Sequence, residues 1–316
     1  MNQTVEQRNR GILEALANDN VKYAADAATD YTRTQLREDS FAFKILAPEQ
    51  ITPDQLDRDI DERNRVICEL EPDSPGSKWC PLQDVPEGEY IVGSRYVIPF
   101  ALVLTRKFTK TIQELYTYRQ DIRKILTDNS IKDGLAAIDG KFVDMVDKIC
   151  MDCPGPGQPQ NFTGKVQYRE FSGFTRENLA MAQTMLTKGN ANGKFRLKNH
   201  IMLLNDTTSR YLLAFDHDEW GGSPKDGPSA ADNMIHGLTT DEIMGLKAIY
   251  TIKDDLVPDG TIYYFTAPEF LGHTFYIDDW TMWMKKEAYF ISMFSYWYGG
   301  IGIGNIAGVA KAVFKS

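Results

Sequence analysis

Apolar residues between positions 110 and 150 recur mostly at intervals of three and four, the spacing of one face of an α-helix. The residues that carry this pattern are Ile112, Leu115, Ile122, Ile125, Leu126, Leu135, Ile138, Phe142, Met145, Val146 and Ile149. Residues 127–130 favour caps and turns, so we expect any bend or break there. The Pro-Gly-Pro-Gly run at 154–157 must end the helix.

The first sixty residues have no comparable pattern. They are rich in Asn, Asp, Gln, Thr and Arg, with weak helical stretches at 11–17 and 52–63. A segment with so few apolar residues buries little surface of its own, so its order must come from contact with something else. We interpret residues 1–60 as an arm.

Two strands are predicted before the long helix, at residues 65–70 and 95–105. Between them lies a long, proline-rich excursion with turn residues at 71–76 and 84–88. Because this connection exceeds that of an ordinary hairpin, we expect a projecting loop that touches a partner.

The segments after the long helix mix both kinds of element. We predict strands at 166–171, 195–204 and 210–215, helices at 175–188 and 240–246, and a turn at 205–208, with mostly strand in the remainder.

The stretch that begins at Ala288 and ends at Ala310 contains no charged residue and is long enough to span a bilayer. A tail-anchored membrane protein is therefore an alternative. Its first half alternates, however. One side of a strand would carry Phe290, Ser292, Phe294, Tyr296 and Tyr298, and the other Ile291, Met293, Ser295 and Trp297. Two buried strands joined by a turn at Gly299 and Gly300 explain the stretch better.

The net charge of −9 is unevenly spread: residues 1–76 carry −7, residues 77–210 carry +5 and residues 211–316 carry −7. An acidic total argues against tight nucleic-acid binding, although it is compatible with enclosing nucleic acid. This charge distribution would also allow the acidic N-terminal arm of one copy to bind the basic segment 77–210 of another copy.

Cysteine and glycine motifs give no strong site. Cys150 and Cys153 form a CxxC, but it follows a helix instead of beginning one, and Cys68 and Cys80 do not supply zinc-ligand spacing. The G-x-G-x-x-A pattern from Gly302 is followed by too few residues for a dinucleotide site. Close backbone packing or a bulge explains these glycines.

A hydrolase or metal-dependent enzyme is a second alternative, because Asp216, His217, Asp218 and Glu219 cluster in one loop. A solvated loop explains them more simply, since the other histidines are scattered. We find no G-x-S-x-G elbow or P-loop. We expect no catalytic site, no metal and no cofactor.

The order of elements resembles that of tailed-bacteriophage major capsid proteins of the Hong Kong 97 type. The short sequence segments 196–205, 256–263 and 303–310 also resemble segments typical of these capsid proteins. The resemblance implies a mixed α+β capsid fold. Its expected segments are an N-terminal arm at 1–60, an extended two-stranded loop at 61–108, a peripheral domain at 109–195 with a spine helix at 110–150, an axial domain at 196–272, return strands of the peripheral domain at 273–298 and a final axial strand at 299–316.

The resemblance further implies a non-enzymatic subunit that assembles with itself into hexamers and pentamers of an icosahedral shell around double-stranded DNA. Its expected places are the virion capsid and, during assembly, the host cytoplasm. It implies no sequence-specific DNA binding and no membrane, and leaves open scaffolding, portal or decoration proteins. A lysine and asparagine pair crosslinks some family members; no such pair can be placed here.

Overall fold

The longest element is a helix, Ile122–Asp152, in a computed structural model that describes part of the chain. The described residues are 25, 26, 29, 33, 39–58, 64–70, 94–117, 122–152, 167–186, 197–211, 242–243, 245–287 and 289–315. The helices are α1 (Phe41–Ile45), α2 (Ile112–Thr117), α3 (Ile122–Asp152), α4 (Arg176–Gln183), α5 (Asp206–Tyr211) and α6 (Pro268–Leu271), with short 3-10 helices at Pro53–Gln55 and Ile306–Gly308.

The spacing of apolar residues correctly predicted α3. Its buried positions include Ile131, Leu135, Ile138, Phe142 and Val146, which follow one another at three- and four-residue intervals. The expected break at 127–130 is absent, because the helix runs through these positions. At its other end the prediction was too long: residues 108–111 form a strand, followed by the separate α2.

The chain divides into two compact units. Unit 1 comprises residues 1–66, 98–142 and 274–301, and unit 2 comprises residues 67–97, 143–273 and 302–316. The division passes between Phe142 and Val143, so α3 contributes its first part to unit 1 and its last part to unit 2.

A five-stranded sheet dominates unit 1. Its strands are β1 (Pro48–Gln50), β5 (Ala101–Leu104), β6 (Phe108–Thr111), β12 (Gly272–Glu287) and β13 (Phe290–Ile303). The order is β1-β12-β13-β5, with β6 also paired to β13. The β13 register places Leu104 opposite Tyr296 through β5, and Thr111 opposite Phe290 through β6.

A small sheet contains β2 (Asp57–Arg58), β3 (Asn64–Leu70) and β4 (Ser94–Pro99), in that order. The predicted strand at 65–70 is confirmed. The one predicted at 95–105 is divided at Phe100 into β4 and β5, which join different sheets. The weak helix predicted at 52–63 was wrong, because a single 3-10 turn and β2 lie there. The excursion between the strands lies outside the described residues.

Unit 2 is built on a mixed six-stranded sheet of order β7-β14-β11-β8-β10-β9. Its strands are β7 (Tyr168–Ser172), β8 (Ile201–Asn205), β9 (Glu242–Ile243), β10 (Leu246–Thr251), β11 (Thr261–Phe265) and β14 (Val309–Lys315). Helix α4 lies within the helix predicted at 175–188, and it buries Leu179 and Ala182 in the core of this unit. Its N-cap is Thr175, whose side chain accepts from the Asn178 N–H at 3.3 Å.

Three sequence predictions in unit 2 were wrong. Asn205 of the turn predicted at 205–208 ends β8, and the rest of that turn and the start of the strand predicted at 210–215 form the helix α5. This helix forms because the Asn205 side chain accepts from the Thr207 N–H at 3.2 Å, and because Arg210 pairs with Asp206 one turn apart. The helix predicted at 240–246 is the hairpin of β9 and β10, which turns at Gly245 with φ +77°.

The turn predicted at Gly299 and Gly300 was also wrong, because β13 continues through both residues. Each glycine is required by a close approach of backbone. A Cβ on Gly299 would lie 2.5 Å from the Phe275 carbonyl oxygen, and one on Gly300 would lie 2.7 Å from that of Pro99. The stretch considered as a membrane anchor is therefore strand, and no helix among the described residues is both long and apolar enough to cross a bilayer.

Candidate assembly surface

The two faces of β13 differ in what covers them. Ile291, Met293 and Trp297 point to one face and are buried, whereas Phe294 and Tyr296 point to the other and are partly exposed. This is the alternation that the sequence predicted, except at Ser292, which is on the outer side but is 3% exposed and hydrogen-bonded to Thr109 at 3.3 Å. The strand thus separates an inner, closed face from an outer, open one.

The inner face is closed by α3 and α1. The hydroxyl groups of Ser295 and Ser130 are hydrogen-bonded at 3.0 Å, and the rings of Trp297 and Phe43 lie 6.2 Å apart. Gly134 of α3 lies against the indole of Trp280 in β12. These contacts fill the inner side, so it offers no surface to a partner.

The outer face is apolar and exposed. Leu102 and Leu104 of β5 are 52% and 57% exposed, and their register places them beside Tyr298 and Tyr296. Trp283 of β12 extends the same surface. The ring centroids of Trp283 and Phe294 lie 4.9 Å apart, and those of Phe294 and Tyr296 lie 6.4 Å apart. We call Leu102, Leu104, Trp283, Phe290, Phe294 and Tyr296 the outer face.

Such a surface needs an explanation, because soluble monomers rarely expose contiguous apolar side chains from neighbouring strands. Single exposed hydrophobic residues are ordinary, and Ile252, 85% exposed in unit 2, is one of these. The outer face instead joins side chains of three strands, since β5, β12 and β13 all contribute. Aromatic side chains of this kind are enriched at protein interfaces.

Basic residues lie near one end of the outer face, where β12 meets β13 and β6 runs alongside. Lys107 and Lys285 lie in this region, and the Lys285 ammonium is 2.8 Å from the Glu287 carboxylate. The hydrogen bond from Lys285, with further attraction to Lys285 and Lys107, holds the pKa of Glu287 below its usual range. Lys107 and Lys285 outnumber Glu287 here, so this end of the sheet carries a net positive charge.

A short buried anchor lies within the segment that we expected to be an arm. Phe41 and Ile45 of α1 are 2% and 0% exposed, and the Phe41 ring packs edge-on against Phe142 of α3 at 6.4 Å. Asp139 of α3 accepts from the Ser40 hydroxyl at 2.7 Å and from the Ala42 N–H at 3.1 Å. Sequence reasoning missed this anchor, although the apolar run at residues 41–46 was a signal for it.

The chemical motifs singled out in the sequence do not come together. Asp216, His217, Asp218, Glu219, Cys80 and Cys153 lie outside the described residues, and Cys150 is buried in α3. Within the described part of the chain, no three His, Cys, Asp or Glu side chains are grouped to hold a metal ion.

The glycine motif from Gly302 has the structural role that we expected. A Cβ on Gly304 would lie 2.3 Å from the Tyr96 ring, so close packing requires glycine there. Asn305 accepts from the Ala307 N–H at 3.1 Å and caps a three-residue 3-10 helix, after which β14 begins. No α-helix follows the motif, as a dinucleotide site would need.

The chain was compared with protein families, curated proteins and solved structures, and matches were found among the solved structures. No protein-family model and no curated protein matches the chain. Among solved structures, the capsid of a native GTA particle has a TM-score of 0.54 at 12% identity, over 86% of this chain and 89% of that one. The mature capsid of bacteriophage PhiM1 gives 0.54 at 10% identity, over 88% of both chains. A virus-like particle from Pyrococcus furiosus gives 0.50 at 12%, over 91% of this chain and 98% of that one.

These identities are low, so the likeness is one of fold. It extends over most of the chain in each comparison, and the helix and sheet content agrees with it. The chain has the mixed α and β fold of tailed-phage major capsid proteins of the Hong Kong 97 type.

Proposed function

We propose that this chain is a non-enzymatic major capsid protein that assembles with itself into hexamers and pentamers of an icosahedral shell around double-stranded DNA. The observation that carries the proposal is the outer face, an apolar surface on a sheet whose other side is already filled. The fold supports it, because similar chains are subunits of capsids and of a virus-like particle. The expected places are the virion and, during assembly, the host cytoplasm.

The partner of the outer face, in this proposal, is residues 71–93 of a second copy. That segment contains Trp79, Leu82, Tyr90 and Ile91, which are suited to an apolar surface. It also contains five acidic residues and a single lysine, which complement the basic end of the sheet. A segment that leaves one subunit and lies on the next links copies around a closed ring.

Apolar burial supplies the free energy of this contact. Each Å² of apolar surface removed from water is worth about 25 cal/mol, and the part that remains after the cost of association sets the affinity. The acidic net charge of −9 fits a container for DNA better than a binder of DNA, since phosphate contacts need a basic surface. Scaffolding, portal and decoration proteins remain possible further partners in this proposal.

Electron microscopy of the purified full chain tests the proposal. The wild-type chain should give closed shells or hexameric capsomers. The double variant Leu102→Glu and Leu104→Glu should give neither, because two carboxylates on the outer face repel an acidic segment and resist burial. Ile252→Glu is the control, since it places one carboxylate on an isolated exposed hydrophobic residue, and it should assemble as the wild type does.

Circular dichroism must show both Glu variants folded, so that lost assembly reports the surface and not the fold. Normal shells from the double variant would remove the outer face from its assigned role. A wild-type chain that stays monomeric at high concentration would contradict the proposed function itself.

A further inference from the structure

Among the residues that the structure describes, no strand pairs with one edge of β12 over part of its length. β1 pairs with β12 only from Thr274 to Tyr276, and the Ile51 N–H donates to the Tyr276 carbonyl at 3.0 Å just beyond. Within the described part of the chain, no strand continues β1 along residues 279–282, while β13 occupies the other edge. A bare strand edge is a template for pairing with another chain.

Side chains occupy this edge in place of a strand. The Met282 N–H donates to the Thr29 hydroxyl at 3.0 Å, and the Arg33 Nε donates to the Trp280 carbonyl at 2.7 Å. The Trp280 N–H donates to the Asp279 carboxylate at 2.8 Å. Three backbone groups of β12 are thus satisfied by side chains, two of which come from the N-terminal segment.

The geometry of Arg33 fixes its position on the edge. Its guanidinium also donates to the Thr281 hydroxyl at 3.1 Å and lies 3.5 Å from the Asp279 carboxylate. Thr29 is 5% exposed, and Met282 and Trp280 are buried. Because a buried N–H without an acceptor destabilises the folded state, the Thr29 hydroxyl is not an incidental contact.

The sequence of this edge makes protection necessary. Residues 280–284 read Trp-Thr-Met-Trp-Met, a run of apolar residues with high β-propensity and no charge. Lys285 and Lys286 follow directly, and charged residues beside an apolar strand commonly oppose aggregation. The backbone groups of Trp280 and Met282 lie before these lysines in sequence and are bonded by Arg33 and Thr29.

We propose that Thr29 and Arg33 form an edge cover, which prevents β12 of one copy from pairing with β12 of a second copy. The cover restricts association between copies to other surfaces, so it governs the fidelity of assembly. This goes beyond the proposed shell function and does not depend on the outer face.

The test compares the full-length variant Thr29→Val and Arg33→Met with wild type. Both replacements keep the approximate size of the side chain and remove its hydrogen bonds to β12. The Met282 amide should exchange its hydrogen at least about tenfold faster, since it loses its acceptor. Irregular aggregates that bind thioflavin should then appear. Arg58→Met, which removes an exposed arginine from β2, should change neither property.

A rescue variant separates edge pairing from general unfolding. Adding Thr281→Lys to the double variant places a charge on the uncovered edge, so aggregation should decrease while the Met282 amide still exchanges fast. Unchanged exchange in the double variant would overturn the edge cover, as would fast exchange without aggregation. Aggregation that Thr281→Lys does not reduce would also overturn it, because unfolding would then be the cause. Shell formation by wild type is scored separately and tests only the outer face.

Discussion

Gly134 of the long helix lies directly under the indole of Trp280. A Cβ built on this glycine would be 2.6 Å from Cη2 of Trp280 and 2.8 Å from Cζ2. Trp280 is 1% exposed, so the ring has little room to retreat. The helix α3 can therefore pack this close to Trp280 only because residue 134 is a glycine and has no Cβ.

Replacing Gly134 with alanine should destabilise the protein despite the better helix propensity of alanine. Alanine gains up to about 1 kcal/mol in a helix interior, whereas overpacking costs typically about 1–3 kcal/mol. We expect a net loss of about 1–2 kcal/mol in the free energy of unfolding, measured by urea denaturation. Gly140→Ala, at a half-buried position of the same helix, is the control and should not be destabilising. A Gly134→Ala chain as stable as wild type would show that the indole can move.

Removing the carboxylate of Asp139 should release the anchor at α1. Asp139→Ala leaves the Ser40 hydroxyl and the Ala42 N–H buried without this acceptor, which should cost about 2–3 kcal/mol. Ser40→Ala should cost less, and the double variant should cost less than the two single changes added together. Denaturant unfolding of the four chains measures this coupling. Asp144→Ala, exposed on the same helix, should stay within about 0.5 kcal/mol of wild type. Strict additivity would argue against a shared contact.

Asn205 holds together a turn of unit 2 that contains two carboxylates. Its amide nitrogen donates to Asp254 at 2.6 Å, to Asp259 at 2.9 Å and to the Val257 carbonyl at 3.2 Å. Asn205→Asp should replace these attractions by repulsion among three carboxylates.

Asn205→Asp should be less stable than Asn205→Ala at pH 7, because the alanine variant removes the amide without adding a charge beside Asp254 and Asp259. Urea unfolding of both variants is the measurement. An Asn205→Asp chain at least as stable as Asn205→Ala would contradict the expected repulsion.

Glu170 in β7 accepts from Lys315 of β14 at 2.6 Å and from the Tyr168 hydroxyl at 2.6 Å. These two hydrogen bonds, that of Lys315 first, hold the pKa of Glu170 below its usual range. A depressed folded pKa means that the contribution to stability is present above the unfolded pKa and is lost as the pH falls through the folded one.

Lys315→Met should raise the pKa of Glu170 toward its ordinary value, and Tyr168→Phe should raise it less. Carbon-13 NMR titration of the Glu170 carboxyl group measures both shifts. The reverse ranking would show that the phenol, and not the ammonium, is the stronger partner. The same bond to Glu170 is the largest cause that raises the pKa of Tyr168 to about 12.

Local pattern was enough to predict some of these elements. The helix α3 follows from the spacing of residues such as Leu135, Ile138 and Phe142, because one face of a long helix repeats every 3.6 residues. The two-sided character of β13 follows from alternation in the same way. Both signals are internal to one element, which is why they are visible without a structure.

Elements set by distant contacts could not be predicted locally. Gly299 and Gly300 have the composition of a turn, yet Phe275 and Pro99, far away in sequence, require glycine in a continuous strand. Half of the outer face was visible in β13, but Leu102 and Leu104 join it only through the pairing of β5 with β13. The helix α5 depends on a cap by Asn205, which sequence reasoning interpreted as a turn residue.

The position of β14 in the sheet of unit 2 limits how much of that sheet can form during synthesis of the chain. This strand follows every other strand of its sheet in sequence, yet it lies inside the sheet, between β7 and β11. A nascent chain on the ribosome that has not yet presented residues 309–315 leaves β7 and β11 without the neighbour they share. Unit 2 therefore cannot be finished during synthesis of its earlier parts, and a prematurely terminated chain would lack the strand that joins them.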